Sequence, residues 1–226
     1  FGSQHTIIKF YSSYSNKDDR DSFMSSVIFI PLLTILPITF LVIKFHDLIG
    51  NFLSVQNPII ESYVWVIFLV AFATSYFEVF YSWARVQLKS VFGNFLKEIF
   101  PRLSIFSLLI CVYLNIITKE DFVWWLTGFY YIRLLIMMIY SFSLYIPKIK
   151  FSLPSNIKSI LTYSFFIFLA GSAASILIDI DKFMIPQKEV ISQTAFYAVA
   201  VFIATVVEIP GRAMFQIINP LVAKAL

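Results

Sequence analysis

Apolar residues fall into six long stretches separated by short polar gaps: Ser25–Phe45, Ile60–Trp83, Leu103–Ile117, Phe122–Tyr145, Ile157–Ile178 and Thr194–Ala213. A bilayer's hydrocarbon core is ~30 Å thick, so a helix needs about 20 mostly apolar residues to cross it. Five stretches meet that length, and the third, Leu103–Ile117, needs help from its flanks. Backbone polar groups in lipid must be satisfied within the segment, which selects helices. The pattern predicts an all-α, polytopic transmembrane helix bundle of about six complete spans.

The gap before the third stretch has its own pattern. Leu88, Val91, Phe92, Phe95, Leu96, Ile99 and Phe100 recur at helical spacing, with Lys89, Asn94, Lys97 and Glu98 on the other face. Two readings fit: an amphipathic helix on the inner membrane surface, or an extension of the neighbouring span packed on the bundle. In the first, Pro101 is expected to end the helix. Pro31, Pro37 and Pro210 lie inside apolar stretches and invite kinks.

Loop charge sets orientation. Lys9, Lys17 and Arg20, then Arg85, Lys89, Lys97 and Arg102, then Lys148, Lys150 and Lys158 place ten cations in alternate gaps. The other gaps hold only four, Lys44, Lys119, Lys182 and Lys188. The first set is therefore expected in the cytoplasm, and residues 46–60 and 180–192 outside. Trp65, Trp83, Trp124 and Trp125 fall near stretch ends, where amphipathic rings favour the headgroup zone. Residues 1–14 read as the tail of a preceding helix, as in a piece of a longer protein. Residues 146–158, with Pro147, Pro154 and three lysines, read as a cytoplasmic joint between residues 1–145 and 159–226. Ser155 or Asn156 is the expected cap of the helix that follows.

Composition agrees. Charged residues are 13% and hydrophobic residues 59% of the chain, against roughly 25% charged in soluble domains. The net charge of +4 resides in loops and is no nucleic-acid signal. Two distant histidines and one cysteine, Cys111, make no metal site. No glycine-rich phosphate loop and no nucleophile–base arrangement is visible, so neither a cofactor nor enzymatic chemistry is expected.

Ionisable groups at bilayer depth are costly and mark function by default. Arg133 lies about eleven residues from the ends of its stretch, which at ~1.5 Å per residue is about 15 Å deep. It faces either a water-filled or ligand-lined cavity, or a buried carboxylate. Glu208 and Arg212 are four residues apart and share a helix face, as a self-neutralising pair or as a polar patch on a cavity wall. Glu78 has no cation three or four residues away. It either pairs with another helix, Arg133 included, or gives up its charge. Asp179, Asp181 and Lys182 cluster at the end of the fifth stretch, as a solvated helix end with local ion pairs or as a cation or sugar contact.

The last third of the chain carries a resemblance. Residues 179–189 read Asp-Ile-Asp-Lys-Phe-Met-Ile-Pro-Gln-Lys-Glu. Residues 196–214 read Phe-Tyr-Ala-Val-Ala-Val-Phe-Ile-Ala-Thr-Val-Val-Glu-Ile-Pro-Gly-Arg-Ala-Met, and 216–224 read Gln-Ile-Ile-Asn-Pro-Leu-Val-Ala-Lys. These resemble the polysaccharide (lipid-linked oligosaccharide) flippases of the MOP superfamily, relatives of the lipid II flippases and MATE exporters. Gly2-Ser-Gln-His-Thr-Ile-Ile-Lys-Phe-Tyr resembles the end of that family's second span. The resemblance implies a chain running from the end of span two to span eight of a two-lobed transporter in the bacterial inner membrane. Residues 1–145 would belong to the first bundle and 159–226 to the second.

It further implies a flippase that moves undecaprenyl-diphosphate-linked oligosaccharide between leaflets by alternating access, for surface polysaccharide or lipopolysaccharide. Polysaccharide polymerase and glycosyltransferases would be its partners, beside membrane lipids. A diphosphate needs buried cations, which makes Arg133 and Arg212 the candidate substrate ligands. Glu78, Glu208, Asp179, Asp181 and Lys182 are candidates for ion coupling or charge balance. A multidrug exporter of the same fold remains an alternative, as does a membrane-embedded glycosyl or acyl transferase.

Overall fold

The computed structural model describes residues 2–55, 57–148, 154 and 156–225, with side chains in the last helix described through residue 207 and at 211 and 214. Among these residues the chain is helical and contains no strand. The helices are α1 (Ser3–Phe10), α2 (Lys17–Lys44), α3 (His46–Leu53), α4 (Val64–Val86), α5 (Ser90–Asn94), α6 (Phe100–Tyr113), α7 (Lys119–Leu144), α8 (Ile157–Lys188) and α9 (Ile191–Ala225). Four segments are long and apolar enough to cross a membrane: Lys17–Lys44, Pro58–Val86, Lys119–Leu144 and Ile157–Leu177. Ser192–Val207 is a shorter apolar run. The outward surface supports this placement. Leu33, Leu36, Phe40, Ile43, Phe106, Leu109, Ile139, Phe165 and Phe166 are all exposed, more large apolar side chains than a soluble monomer ordinarily leaves in water.

Local chemistry sets the helix ends. Asn16 caps α2, accepting from the Asp18 amide at 3.2 Å, with Asp18 and Asp19 in the first turn. Thr118 caps α7 by accepting from the Asp121 amide at 3.1 Å, while its hydroxyl donates to the Asp121 carboxyl at 2.7 Å. Two helices close with the same left-handed turn. Asn115 (φ 55°) ends α6, with Asn115 N–H to Val112 at 3.0 Å and Ile116 N–H to Cys111 at 2.9 Å. Leu88 (φ 59°) ends α4 likewise, with Leu88 N–H to Arg85 at 2.9 Å and Lys89 N–H to Ala84 at 3.0 Å. Asparagine tolerates that conformation; a leucine there costs about 1–2 kcal/mol.

The third apolar stretch is continuous with the segment before it. A π-turn at Phe95–Ile99 joins α5 to α6, so the helical run continues from Ser90 to Tyr113. Pro101 was expected to end a helix and instead sits in the first turn of α6. Proline has no N–H to continue the ladder, and the run passes it with the π-turn in the residues directly before it. Leu96 and Gly93 are buried against the bundle, and the segment is thus an extension of the neighbouring span.

Packing centres on α4 and α7. Phe77, Phe80, Trp83, Leu134 and Met137 are buried, and the Ser141 hydroxyl crosses to the Phe80 carbonyl at 2.7 Å. Phe23, Met24 and Val27 of α2, Ile7 of α1 and Leu96 complete the core. Pro31 faces this core while Pro37 is exposed, and α2 remains one helix through both. Pro31 cannot donate to the Val27 carbonyl, and on the same turn the Ile28 carbonyl accepts from the Tyr76 hydroxyl at 3.1 Å. The expectation for Trp83 is corrected. It is 0% exposed and packs edge-on to Phe142 at 5.4 Å, a core residue and not a headgroup anchor. Trp124 and Trp125 are exposed near the start of α7, as expected.

The alternate gaps converge. Tyr14 donates to Asn156 at 2.5 Å, Tyr145 donates to Asp21, and Gln87 donates to Tyr11, which joins three cation-rich connections at one end. At the other end Asn57 donates to the carbonyls of Pro186 (2.8 Å) and Glu189 (3.3 Å), and Phe52 packs on Phe183 at 6.2 Å. Residues 180–192 were expected as a loop; α8 instead runs through Pro186 to Lys188 before the chain turns. Asn156 stands at the helix start as anticipated, but its side chain is committed to Tyr14 and makes no cap. Most of the 146–158 joint lies outside the described residues.

The loop-charge bias predicts that the cation-rich end faces the inside of the cell. With Cys111→Ser as background, an impermeant thiol reagent on intact cells is expected to label Lys188→Cys and spare Lys89→Cys. The reverse pattern would invert the orientation.

Candidate functional site

Arg133 points into the bundle. It is 5% exposed, near the middle of α7. Its guanidinium lies 4.1 Å from the centroid of the Phe77 ring and 4.8 Å from that of Tyr130. Ring faces carry negative potential, so each contact favours the charge by about 0.5–2 kcal/mol. No carboxylate lies within ion-pair distance among the described residues, and Nε has no hydrogen-bond partner. The void beside it, lined by Phe100, Pro101, Ser104 and Phe129, has no room for a water. Among the described residues neither a water-sized void nor a carboxylate at ion-pair distance adjoins Arg133, and aromatic faces hold it. The physical reason is supply, because α4 and α7 bring rings beside it while Glu78 is paired with Lys97.

Glu78 is committed elsewhere. Its carboxylate pairs with Lys97 Nζ at 2.7 Å, across from α4 to the π-turn. The pairing with another helix is therefore seen, with Lys97 as partner. Arg133 interacts with Glu78 only at longer range. Lys97 also lies 5.4 Å from the Tyr81 ring. The π-turn inserts an extra residue per turn, and such bulges re-aim side chains.

Asp179 pairs with Lys182 at 2.6 Å along α8, and the exposed Asp181 accepts from the Tyr197 hydroxyl at 3.0 Å. This is the local ion pairing of a solvated helix surface. The Asp181–Tyr197 bond links α8 to α9. Glu208 and Arg212 lie one turn apart in α9, and their side chains are outside the described residues. Arg133 and Glu78 are thus in one neighbourhood, while Asp179, Asp181 and Lys182 form another on α8.

The sequence reading passed over a buried acid. Asp21, in the first turns of α2, is 0% exposed; its Oδ1 accepts from Tyr145 and its Oδ2 has no hydrogen-bond partner. Neighbouring Arg20 donates to the Tyr14 carbonyl at 2.8 Å and lies 5.1 Å from the Tyr11 ring. Asp21 belongs to the polar lead Lys17–Asp21, which reads as solvated, and only the docking of the α7 end over it removes water. Burial raises the Tyr14 phenol's pKa above its usual value, the Asn156 bond opposing and Asp19 adding. Tyr14 therefore remains a hydrogen-bond donor at neutral pH.

Tyr145→Phe should lower stability by about 1–3 kcal/mol, because it leaves a buried carboxyl without its one partner. Thermal unfolding in detergent reads the loss. Pairing it with Asp21→Leu should recover part of the loss, and a further fall on adding Asp21→Leu would show that the carboxyl is satisfied elsewhere.

No metal-ligand cluster occurs among the described residues. No family model, curated protein or solved structure matches this chain.

Proposed function

We propose that this chain is part of a transporter that flips undecaprenyl-diphosphate-linked oligosaccharide across the bacterial inner membrane, with about six spans of a two-lobed MOP-type bundle. The observation that carries the reading is Arg133: a cation deep in a span, 5% exposed, with no carboxylate within ion-pair distance among the described residues. A charge without a counter-ion is costly in that medium. Phosphate oxygens would supply the counter-charge, and the planar guanidinium fork binds two of them at once. Phe77 and Tyr130 hold the fork in place until the anion displaces a ring face. The resemblance in residues 179–224 supplies the substrate class, and Arg212 is the second candidate cation. Translocation requires no covalent step, so the protein acts as a carrier.

The test is export. In cells whose surface polysaccharide depends on the full-length protein, Arg133→Ala is expected to abolish the polymer while the protein remains in the membrane. Normal export from a well-expressed Arg133→Ala protein would refute the assignment.

A further inference from the structure

A cavity of about 420 Å³ lies away from Arg133, at the cation-rich end, between the turn after α1, the last turn of α4 and α5. Tyr11, Ser12, Tyr81, Arg85, Ser90 and Asn94 line it with a few apolar residues, and no carboxylate lines it.

Its polar groups share one character. Asn94 spends its carbonyl oxygen accepting from Tyr81, which leaves its amide N–H groups as donors. Tyr11 accepts from Gln87 through its hydroxyl oxygen, which leaves the phenolic proton to donate. Ser12 and Ser90 add hydroxyls. Arg85 adds five N–H donors and a fixed charge.

The nearby acids are spoken for. Glu78 pairs with Lys97 at 2.7 Å and Glu98 with Arg102 at 3.2 Å. Arg85 therefore has no ion-pair partner among the described residues; its guanidinium lies 5.6 Å from the Tyr81 ring. A cleft of donors with one uncompensated arginine is complementary to a compact anion that offers several oxygens.

We propose that this cleft binds a phosphate group, with Arg85 as the charged ligand and Asn94, Tyr11, Ser12 and Ser90 as donors. The proposal does not rest on the transport reading, because it concerns a different cavity and a different arginine. The phosphate can come from a lipid headgroup at the membrane surface or from a soluble phosphate compound, and the test separates them.

Ile8 lines the cleft and is 38% exposed, so Ile8→Cys in a Cys111→Ser background reports occupancy through its rate of maleimide labelling. The full chain is held in dodecyl maltoside micelles, which carry no phosphate, and titrated with inorganic pyrophosphate, chloride matching the ionic strength. In parallel, without pyrophosphate, mixed micelles containing phosphatidylglycerol are compared with dodecyl maltoside alone. Occupancy is expected to slow labelling about tenfold in at least one arm. Slowing by pyrophosphate marks a soluble phosphate ligand, and slowing by phosphatidylglycerol marks a lipid headgroup. Arg85→Gln is expected to weaken the protection about tenfold, the loss of one or two charge-assisted hydrogen bonds. Ser12→Asp, at an exposed position, is expected to abolish it by repulsion and serves if Arg85→Gln fails to fold. Unchanged labelling in both arms, or protection that survives these substitutions, overturns the proposal.

Discussion

Arg133→Met is expected to leave the protein as stable as the parent or more so, and to abolish export. The two parts follow from separate energies. Methionine fills much the same volume between Phe77 and Tyr130 and can make sulfur–aromatic contacts. Two cation–π contacts are lost, about 0.5–2 kcal/mol each. Against this, a buried charge with no carboxylate beside it is removed, which relieves a desolvation penalty on the order of several kcal/mol. The terms are of similar size, so thermal unfolding should move little or upward. Export, by contrast, needs the positive charge when the diphosphate reaches mid-membrane. Arg133→Lys should retain part of it if a point charge suffices, and little if the bidentate fork matters. A methionine protein that unfolds several degrees lower, with export falling only in proportion, would make Arg133 a structural residue and remove the support for transport.

Gly93→Ala should destabilise the protein by about 1–3 kcal/mol. On helix propensity alone the opposite is expected, since alanine exceeds glycine by about 1 kcal/mol in a helix interior. The decision rests on space. A Cβ at residue 93 would stand 2.3 Å from Tyr81 Cδ2, 2.7 Å from Cε2 and 3.4 Å from the Met137 methyl. Tyr81 is buried, donates to Asn94, and has Lys97 and Arg85 beside its ring. It cannot retreat without breaking these contacts, so the π-turn segment must lift from α4. Gly128→Ala is the control. Nothing lies within 4 Å of a Cβ there, and propensity should stabilise α7 by about 0.4–1 kcal/mol. Equal gains from both substitutions in thermal unfolding would disprove the close approach at Gly93.

Much of the architecture was readable because hydropathy is local. Whether a segment such as Phe122–Tyr145 can cross a bilayer depends on its own side chains and on a helix's fixed rise. The structure places a helix there from Lys119 to Leu144. Asn156 at a helix start and Trp124 and Trp125 near a span end were legible for the same reason. So was the meeting of alternate gaps, since successive spans must reverse direction. The failures have one cause too. Pro101 was read as a stop because the sequence does not show that a π-turn precedes it. Trp83 was read as interfacial because its position near a span end says nothing of what covers it; Phe80 and Phe142 do.

The candidate site divides along the same line. Sequence alone determined that Arg133 lies near the middle of its apolar stretch, that Glu78 has no cation three or four residues away, and that Asp179 and Lys182 can pair, because position along a helix and i,i+3 or i,i+4 spacing follow from helix geometry. Only the tertiary structure decided that Lys97 takes Glu78, that aromatic rings and, among the described residues, no ion-paired acid adjoin Arg133, that Asp21 is buried, and that Arg85 lines a cleft of donors. Each of these is a choice among partners far apart in sequence. Such choices depend on which helix faces meet and which charges are already satisfied when they do, and no local pattern carries that information.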